Sequence, residues 1–393
     1  FFQAEDGIRD RRKSLVGSEM CIRDSLYYCT NFIISSSVKH RVIHQMSDLK
    51  AEICFLRRNR TPYGGAEKYL IRLSNALMEK GYRHRIIYSR LPNFLPSFLR
   101  AMLFNIGSCL SKGQRFYFSL ERISCPDIYR AGDGVHRQFL LSKKKSFNLL
   151  NPVYLYLERR CFVNASKIIA NSLMVKKEII HHYNIDSNKI HVIYSGVELD
   201  IDNSLAGSVR QELSVDPSTR IILFVGSGFE RKGVSEMLHL LAKLDRDYFA
   251  IIVGKDKHLQ RYMSLSEQLG LIAKVKFVGP VRDIDRYYVD SDILMLPTRY
   301  EPFSNVVLEA MRGGNAVITT YQNGAAEILD DELLMENSAD EKIIPALQRL
   351  LDQPDYLSAI KQHNLDTVRE FSIEKNASET LALIEQTMAE SGK

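Results

Sequence analysis

The stretch Tyr300–Gly314, YEPFSNVVLEAMRGG, sets two carboxylates, Glu301 and Glu309, on either side of seven residues and closes on a glycine pair. Pro302 presets the backbone for the first turn of a helix, Ser304 or Asn305 can cap it, and Gly313–Gly314 suits a left-handed exit. The segment therefore reads as a short helix with one acid in the loop at its start and the other inside it. An anion can rest on such a helix N-terminus between two acceptors of hydroxyl hydrogen bonds, which matches a pyrophosphate flanked by two polyols. Taken alone, two glutamates at this spacing fit a solvated amphipathic helix better, so the rest of the chain has to decide.

Outward from this segment, strands and helices alternate. RIILFVG (220–226), YFAIIVG (248–254), KVKFVGP (274–280), DILMLPT (292–298) and NAVITT (315–320) read as buried strands. AEICFL (51–56), RHRIIYSR (83–90), IYRAG (128–132), SKIIANS (166–172) and KIHVIYSGV (189–197) form an earlier set, and Leu70, Leu73, Leu77 and Met78 mark one helical face after the first of them. Residues 91–125 are apolar and fit no single period. The pattern predicts an α/β protein with two parallel, doubly wound, Rossmann-like domains. Ligands in such sheets bind beyond the strand C-termini, so the site is expected in a cleft between the facing domains. A polar stretch at 198–218 separates the halves and places the domains at 48–205 and 206–365. Residues 366–393 are expected to form a C-terminal helix that packs back toward the first domain.

A chain of 393 residues exceeds one ordinary core, and its 45% hydrophobic and 25% charged content is that of a globular protein. No apolar run reaches the ~18 residues of a membrane span. The net charge of +6 conceals an asymmetry of +2 for 1–47, +13 for 48–200 and −9 for 201–393. A basic first domain attracts phosphates, an anionic membrane surface or nucleic acid. Cys21, Cys29, Cys54, Cys109, Cys125 and Cys161 form no C-x-x-C pair, which argues for a reducing compartment and against a zinc site. Residues 1–47 are set aside as a non-native or disordered leader. Within it, 1–25 resembles translated sequencing-adapter read-through, and Met46 is the expected native start.

GSGFERKG (226–233) joins a strand to a helix without the spacing of either the dinucleotide or the P-loop fingerprint. Arg231 and Lys232 there can neutralise a pyrophosphate leaving group with no metal, although Arg-Lys at a helix start is commonly surface charge. Gly64–Gly65–Ala66–Glu67 is the corresponding loop of the first domain. Asp133 and His136 in AGDGVH can share acid–base work, or serve as a turn aspartate and a capping histidine. The pairs Asp200/Asp202, Asp245/Asp247 and Asp283/Asp285 imitate a D-x-D metal site but fall in polar linkers or helix starts, and are read as incidental. Between 136 and 165, aromatic and aliphatic residues alternate with Lys143, Lys144, Lys145, Arg159 and Arg160, which suits an anionic lipid surface, a single-stranded nucleic acid, or a buried helix with a basic loop.

Four pieces in order, GGAE (64–67), DGVH (133–136), GSGFERKG (226–233) and EPFSNVVLE (301–309) followed by NGAAEI (323–328), resemble the retaining glycosyltransferases of family 4 over about residues 50–385. RAGDGVH and FERKG look most like the lipopolysaccharide core transferases that add hexose from UDP-glucose to inner-core heptose. The resemblance implies the GT-B fold, a nucleotide-sugar donor as substrate, and no metal or other cofactor. It implies catalytic roles for Asp133, His136, Arg231, Lys232 and Glu301. Donor binding would fall to Gly64, Gly65, Gly226, Gly228, Arg231, Lys232, Gly254, Val281, Glu301, Phe303, Ser304, Asn305 and Glu309. Within that set, Arg231 and Lys232 hold the pyrophosphate, Glu309 the ribose, Glu301 the sugar, and Val281 beside Gly279 the base. Lys143, Lys144, Lys145 and Phe147 would face the acceptor or membrane, with the enzyme cytoplasmic and peripheral to the inner membrane. Asn315 departs from the proline that the family often has there.

The implied acceptor is lipopolysaccharide core or another glycolipid. Donors such as UDP-galactose, UDP-GlcNAc or GDP-mannose, in O-antigen or capsule synthesis, are the near alternative. An NAD-dependent oxidoreductase is disfavoured by the missing G-x-G-x-x-G, and nucleic acid is not an expected partner.

Overall fold

The computed structural model describes residues 52–58, 65–142, 148–202, 204 and 206–392. Its first sheet contains β1 (Ile53–Arg57), β2 (His84–Tyr88), β3 (Phe116–Ser119), β4 (Ile128–Ala131), β5 (Lys167–Ala170) and β6 (Ile190–Val192), in the order β2-β1-β3-β4-β5-β6. The second contains β7 (Ile221–Val225), β8 (Phe249–Val253), β9 (Val275–Gly279), β10 (Ile293–Leu296), β11 (Ala316–Thr320) and β12 (Leu334–Met335), in the order β12-β11-β10-β7-β8-β9. Pairing is parallel throughout both sheets. Parallel strands need crossover helices, and these cover both sheet faces, which is why IILF and ILML read as unbroken apolar runs. All four residues of each run are buried.

The ambiguous stretch 91–125 resolves into helix Ser97–Leu110 and strand β3. Its periodicity is obscured because β3, FYFS, is buried on every residue while the helix leaves Leu99, Leu103, Ile106 and Leu110 exposed. The reading of a reducing compartment from the cysteine spacing meets one exception here. Cys109 at the end of that helix and Cys125 in the loop after β3 form a disulfide, their Cα atoms 5.7 Å apart. Tertiary packing supplies this proximity across 16 residues, so no C-x-x-C spacing was needed to achieve it.

The chain ends on helix Ile373–Ser391, whose Ala377, Leu381, Ile384 and Met388 pack with Ile53, Phe55, Leu70 and Phe118 in the core of the first sheet. Its entry is pinned where Val197 N donates to Phe371 O at 2.9 Å and Ile373 N to Val197 O at 3.2 Å. Gly196 permits this approach, since a Cβ there would stand 2.5 Å from Ser372 O. Among the described residues no helix is long and apolar enough to cross a membrane.

Candidate functional site

In the second sheet the strand order reverses between β7 and β10, so the loops leaving these two neighbours open into one crevice. After β7, a single helical turn, Phe229–Lys232, hangs between left-handed Gly228 and Gly233, with φ of 76° and 78°. Phe229 N donates to Asp256 Oδ2 at 2.8 Å, which anchors the turn. Lys232 is only 8% exposed. Its stem lies across Gly226, where a Cβ would stand 2.4 Å from Lys232 Cδ. Gly254 packs beneath, because a Cβ there would fall 1.8 Å from Gly226 O. The glycines thus shape the loop from behind and are not part of the cleft lining.

After β10, Glu301 forms a bridge with Asn323, its N donating to Gln322 O and its O accepting from Gly324 N, both at 2.9 Å. This fixes the Glu301 carboxylate 2.5 Å from Arg231 Nη1 and 3.1 Å from Lys232 Nζ. Burial alone would raise the Glu301 carboxyl, but Lys232 and then Arg231 outweigh it and hold it below its ordinary range. The three residues form one charge cluster, where the sequence reading gave phosphate and sugar duties to separate groups.

Helix Asn305–Arg312 begins after Ser304, whose side chain makes no capping bond, and Pro302 lies ahead of the first turn instead of inside it. The left-handed exit residue is Gly314, with φ of 75°, while Gly313 has φ of −74°. Asn315 Nδ2 donates to Tyr288 O at 2.7 Å and to Ala310 O at 3.0 Å, closing the helix end. Glu309, inside the helix, accepts from Tyr288 Oη at 2.9 Å. The Ser304 amide donates to Asn323 Oδ1 at 3.2 Å, which ties the start of the helix to the loop after β11.

The cleft between the domains encloses about 440 Å³. Lys232, Glu301, Phe303, Ser304, Asn305 and Glu309 line one wall, with Asp133 facing them from the loop after β4. His136 is turned aside. Its ring packs edge-on to Tyr154 at 5.2 Å, with Nε2 3.3 Å from Asn151 Oδ1, and it is not part of the cleft lining. Val281 lines a different recess with Ser208, Arg282, Asp283 and Arg286. Gly64, Lys143, Lys144, Lys145, Phe147 and the leader 1–47 lie outside the described residues, and Gly65 opens helix Gly65–Glu79. Of the D-x-D pairs, Asp285 is bound to Arg312 at 2.5 Å, and Asp202 Oδ1 accepts from Ser204 N at 2.9 Å. Among the described residues no three His, Cys, Asp or Glu side chains are grouped to hold a metal.

Sequence reasoning missed several residues. Arg72, Arg130 and Asn171 line the first-domain wall. A polar residue inside or just after an apolar strand, as in IYRAG and SKIIANS, was the available signal. Tyr300 ties the domains together, its hydroxyl donating to Glu178 Oε2 at 2.8 Å and accepting from Val135 N at 3.2 Å. Burial pushes the Glu178 carboxyl up to about 7, against the opposing hydrogen bond from Tyr300. Ser172 Oγ donates to Pro302 O at 2.8 Å, and Glu327 accepts from the amides of Leu173 and Met174 at 2.9 and 2.6 Å.

Residues 208–366 match the family Glycosyl transferases group 1, and residues 129–201 match Glycosyltransferase Family 4. An uncharacterized glycosyltransferase of Methanocaldococcus jannaschii is 31% identical over 176 residues, 42% of this chain, and the chain spans 45% of that relative's length. The lipopolysaccharide glucosyltransferase WaaG of Escherichia coli K12 is 22% identical over 360 residues, covering 81% of this chain and 96% of WaaG. The crystal structure of WaaG, a glycosyltransferase involved in lipopolysaccharide biosynthesis, superposes with a TM-score of 0.73 at 19% identity, over 84% of this chain and 99% of that one. Anabaena HepE in complex with UDP and glucose superposes with a TM-score of 0.67 at 18% identity, over 86% and 100% of the two chains. The paired six-stranded parallel sheets share the architecture of these structures. The chain is thus a glycosyltransferase of GT-B fold, carrying a group 1 glycosyl transferase domain at 208–366 and a family 4 match at 129–201.

Proposed function

We propose that this glycosyltransferase moves a hexose, from UDP-glucose, onto a lipopolysaccharide core acceptor with retention of anomeric configuration. The observation that carries the reading is the Arg231–Lys232–Glu301 cluster at the reversal point of the second sheet, with Glu309 in the helix Asn305–Arg312 that follows. A donor diphosphate takes over part of the cations' charge, while Glu301 and Glu309 accept from sugar and ribose hydroxyls. The bond from the anomeric carbon to the phosphate oxygen breaks with its electron pair leaving on the diphosphate. The acceptor oxygen bonds the same face of that carbon, and its proton passes to the departing phosphate oxygen. In this reading Arg231 and Lys232 stabilise the leaving charge, with no role assigned to a metal, and Asp133 stands on the acceptor side.

A thermal-shift titration with UDP, UDP-glucose, UDP-galactose, UDP-GlcNAc, GDP-mannose and NAD tests the donor. A ligand at a hundred times its Kd adds about 2.7 kcal/mol to stability. Stabilisation by UDP species, and turnover of UDP-glucose with truncated lipopolysaccharide, are the expected results. A shift with GDP-mannose alone would replace the donor, and no shift with any sugar nucleotide would remove the cluster's assigned role.

The same reading places the enzyme on the cytoplasmic face of an anionic inner membrane. Support comes from helix Ser97–Leu110, where Leu99, Leu103, Ile106 and Leu110 form an exposed stripe beside exposed Phe94. Phe94 and Leu110 are each 84% exposed, and the domain carrying them is the basic one. An apolar stripe on a domain of net positive charge suits shallow insertion among anionic headgroups. Leu103→Asp combined with Leu110→Asp is expected to abolish sedimentation with phosphatidylglycerol-containing vesicles and to leave the UDP thermal shift unchanged. Undiminished sedimentation would exclude this face as the contact.

A further inference from the structure

We propose that the first-domain wall of the cleft is a subsite for an anionic group on a hydroxylated acceptor, with Arg130 holding the anion and Asn171 a neighbouring hydroxyl. The proposal rests on the transferase reading above and adds the chemical class of the acceptor's recognised group.

Arg130 lies in β4, one residue from its C-terminal end, and is only 8% exposed. A guanidinium so deeply placed ordinarily has a carboxylate beside it. Among the described residues no carboxylate pairs with Arg130, which lies over the ring of Tyr69 at 4.0 Å, and its buried Nε has no acceptor. The other cations of the cleft are engaged, Arg72 with Glu198 at 3.2 Å and Lys232 with Glu301 at 3.1 Å. Gly132 keeps open the space that the guanidinium uses, since a Cβ there would stand 2.1 Å from Arg130 Nη1.

Asn171 follows the adjacent strand β5, which pairs with β4. Its Nδ2 donates to Gly132 O at 3.1 Å, and this bond orients the amide and leaves the buried Oδ1 without a donor. Two unmet groups therefore lie together at neighbouring strand ends, where ligands of such sheets bind: a charged N–H donor and a lone amide oxygen. An anion answers the first and a hydroxyl the second. A neutral polyol would leave the buried charge of Arg130 unmatched, whereas a sugar phosphate or a uronate satisfies both. The donor's own diphosphate has Arg231 and Lys232 on the second domain.

The test uses the full chain saturated with UDP, with glucose 6-phosphate, glucuronate and glucose as probes measured by calorimetry. Wild-type protein is expected to bind glucose 6-phosphate, glucuronate or both at least roughly thirtyfold more tightly than glucose, the low end for truncating one partner of a buried charge pair. The phosphate and carboxylate arms separate the two sources of charge. Arg130→Met is expected to erase the preference, and Arg130→Lys to retain part of it, with UDP affinity unchanged in both. If Arg130→Met does not fold, the Lys variant carries the comparison. Equal binding of the three probes by wild type, or full preference in either variant, would overturn the proposal. Loss of UDP binding in the variants would assign Arg130 to the donor and overturn it as well. Failure of wild-type protein to bind UDP would instead remove the transferase reading, and the acceptor subsite with it.

Discussion

Lys232→Ala is expected to lower kcat/KM by roughly 2–4 kcal/mol, the cost of removing a preorganised group that stabilises developing charge. The side chain is nearly buried, its stem is seated across Gly226, and its ammonium is 3.1 Å from Glu301. It is therefore positioned before the donor arrives, and alanine leaves Glu301 with Arg231 as its remaining partner in the cluster. The pH dependence follows. Glu301 has a folded-state pKa below its unfolded one, so its contribution to stability is present above the unfolded value and is lost as pH falls through the folded value. Without Lys232 the folded value rises, and that loss begins at higher pH. Steady-state kinetics with donor affinity measured separately decide the matter: a nearly unchanged kcat/KM would end the assignment of the leaving-group charge to Lys232.

Glu158→Ala is expected to destabilise the fold by about 3–5 kcal/mol, because it leaves a buried cation without its counter-charge. Glu158 is 0% exposed, and Arg122 Nε donates to it at 2.9 Å. The same carboxylate accepts from His136 N at 2.7 Å, Arg137 N at 3.3 Å and Tyr183 Oη at 2.5 Å. It thereby holds the start of helix His136–Leu141 and, through Arg122, which also donates to Gly134 O at 3.1 Å, the loop that carries Asp133. Denaturant unfolding checks the prediction, with Glu158→Gln expected to lose less because it keeps the carbonyl acceptor. A loss below about 1 kcal/mol for alanine, within the range of an exposed pair, would show that water replaces the carboxylate. The role found for Glu158 also accounts for His136: its backbone, not its ring, is the part committed to the loop.

Much of the architecture was legible in the residues. Runs such as IILFV and AVITT are apolar on both faces because helices cover both, and helical periodicity between them leaves little choice but parallel crossover units. FERKG, EPFSNVVLE and their strand–loop–helix setting named Arg231, Lys232, Glu301 and Glu309, and the cleft brings Lys232, Glu301 and Glu309 to one wall. Local pattern did not show that Arg231 and Lys232 would pair with Glu301, an acid far along the chain, nor that Cys109 would meet Cys125. It also set His136 beside Asp133 in the chain while the fold turned its ring toward Tyr154. The unpaired Arg130 and the lone oxygen of Asn171 became visible only when β4 and β5 lay side by side. The physical reason is the same in each case. Periodicity and turn chemistry act over a few residues and decide which segments become strands, whereas the order of those strands in the sheet decides which ends become neighbours. Burial then determines which charges must find partners and which are left facing the cleft.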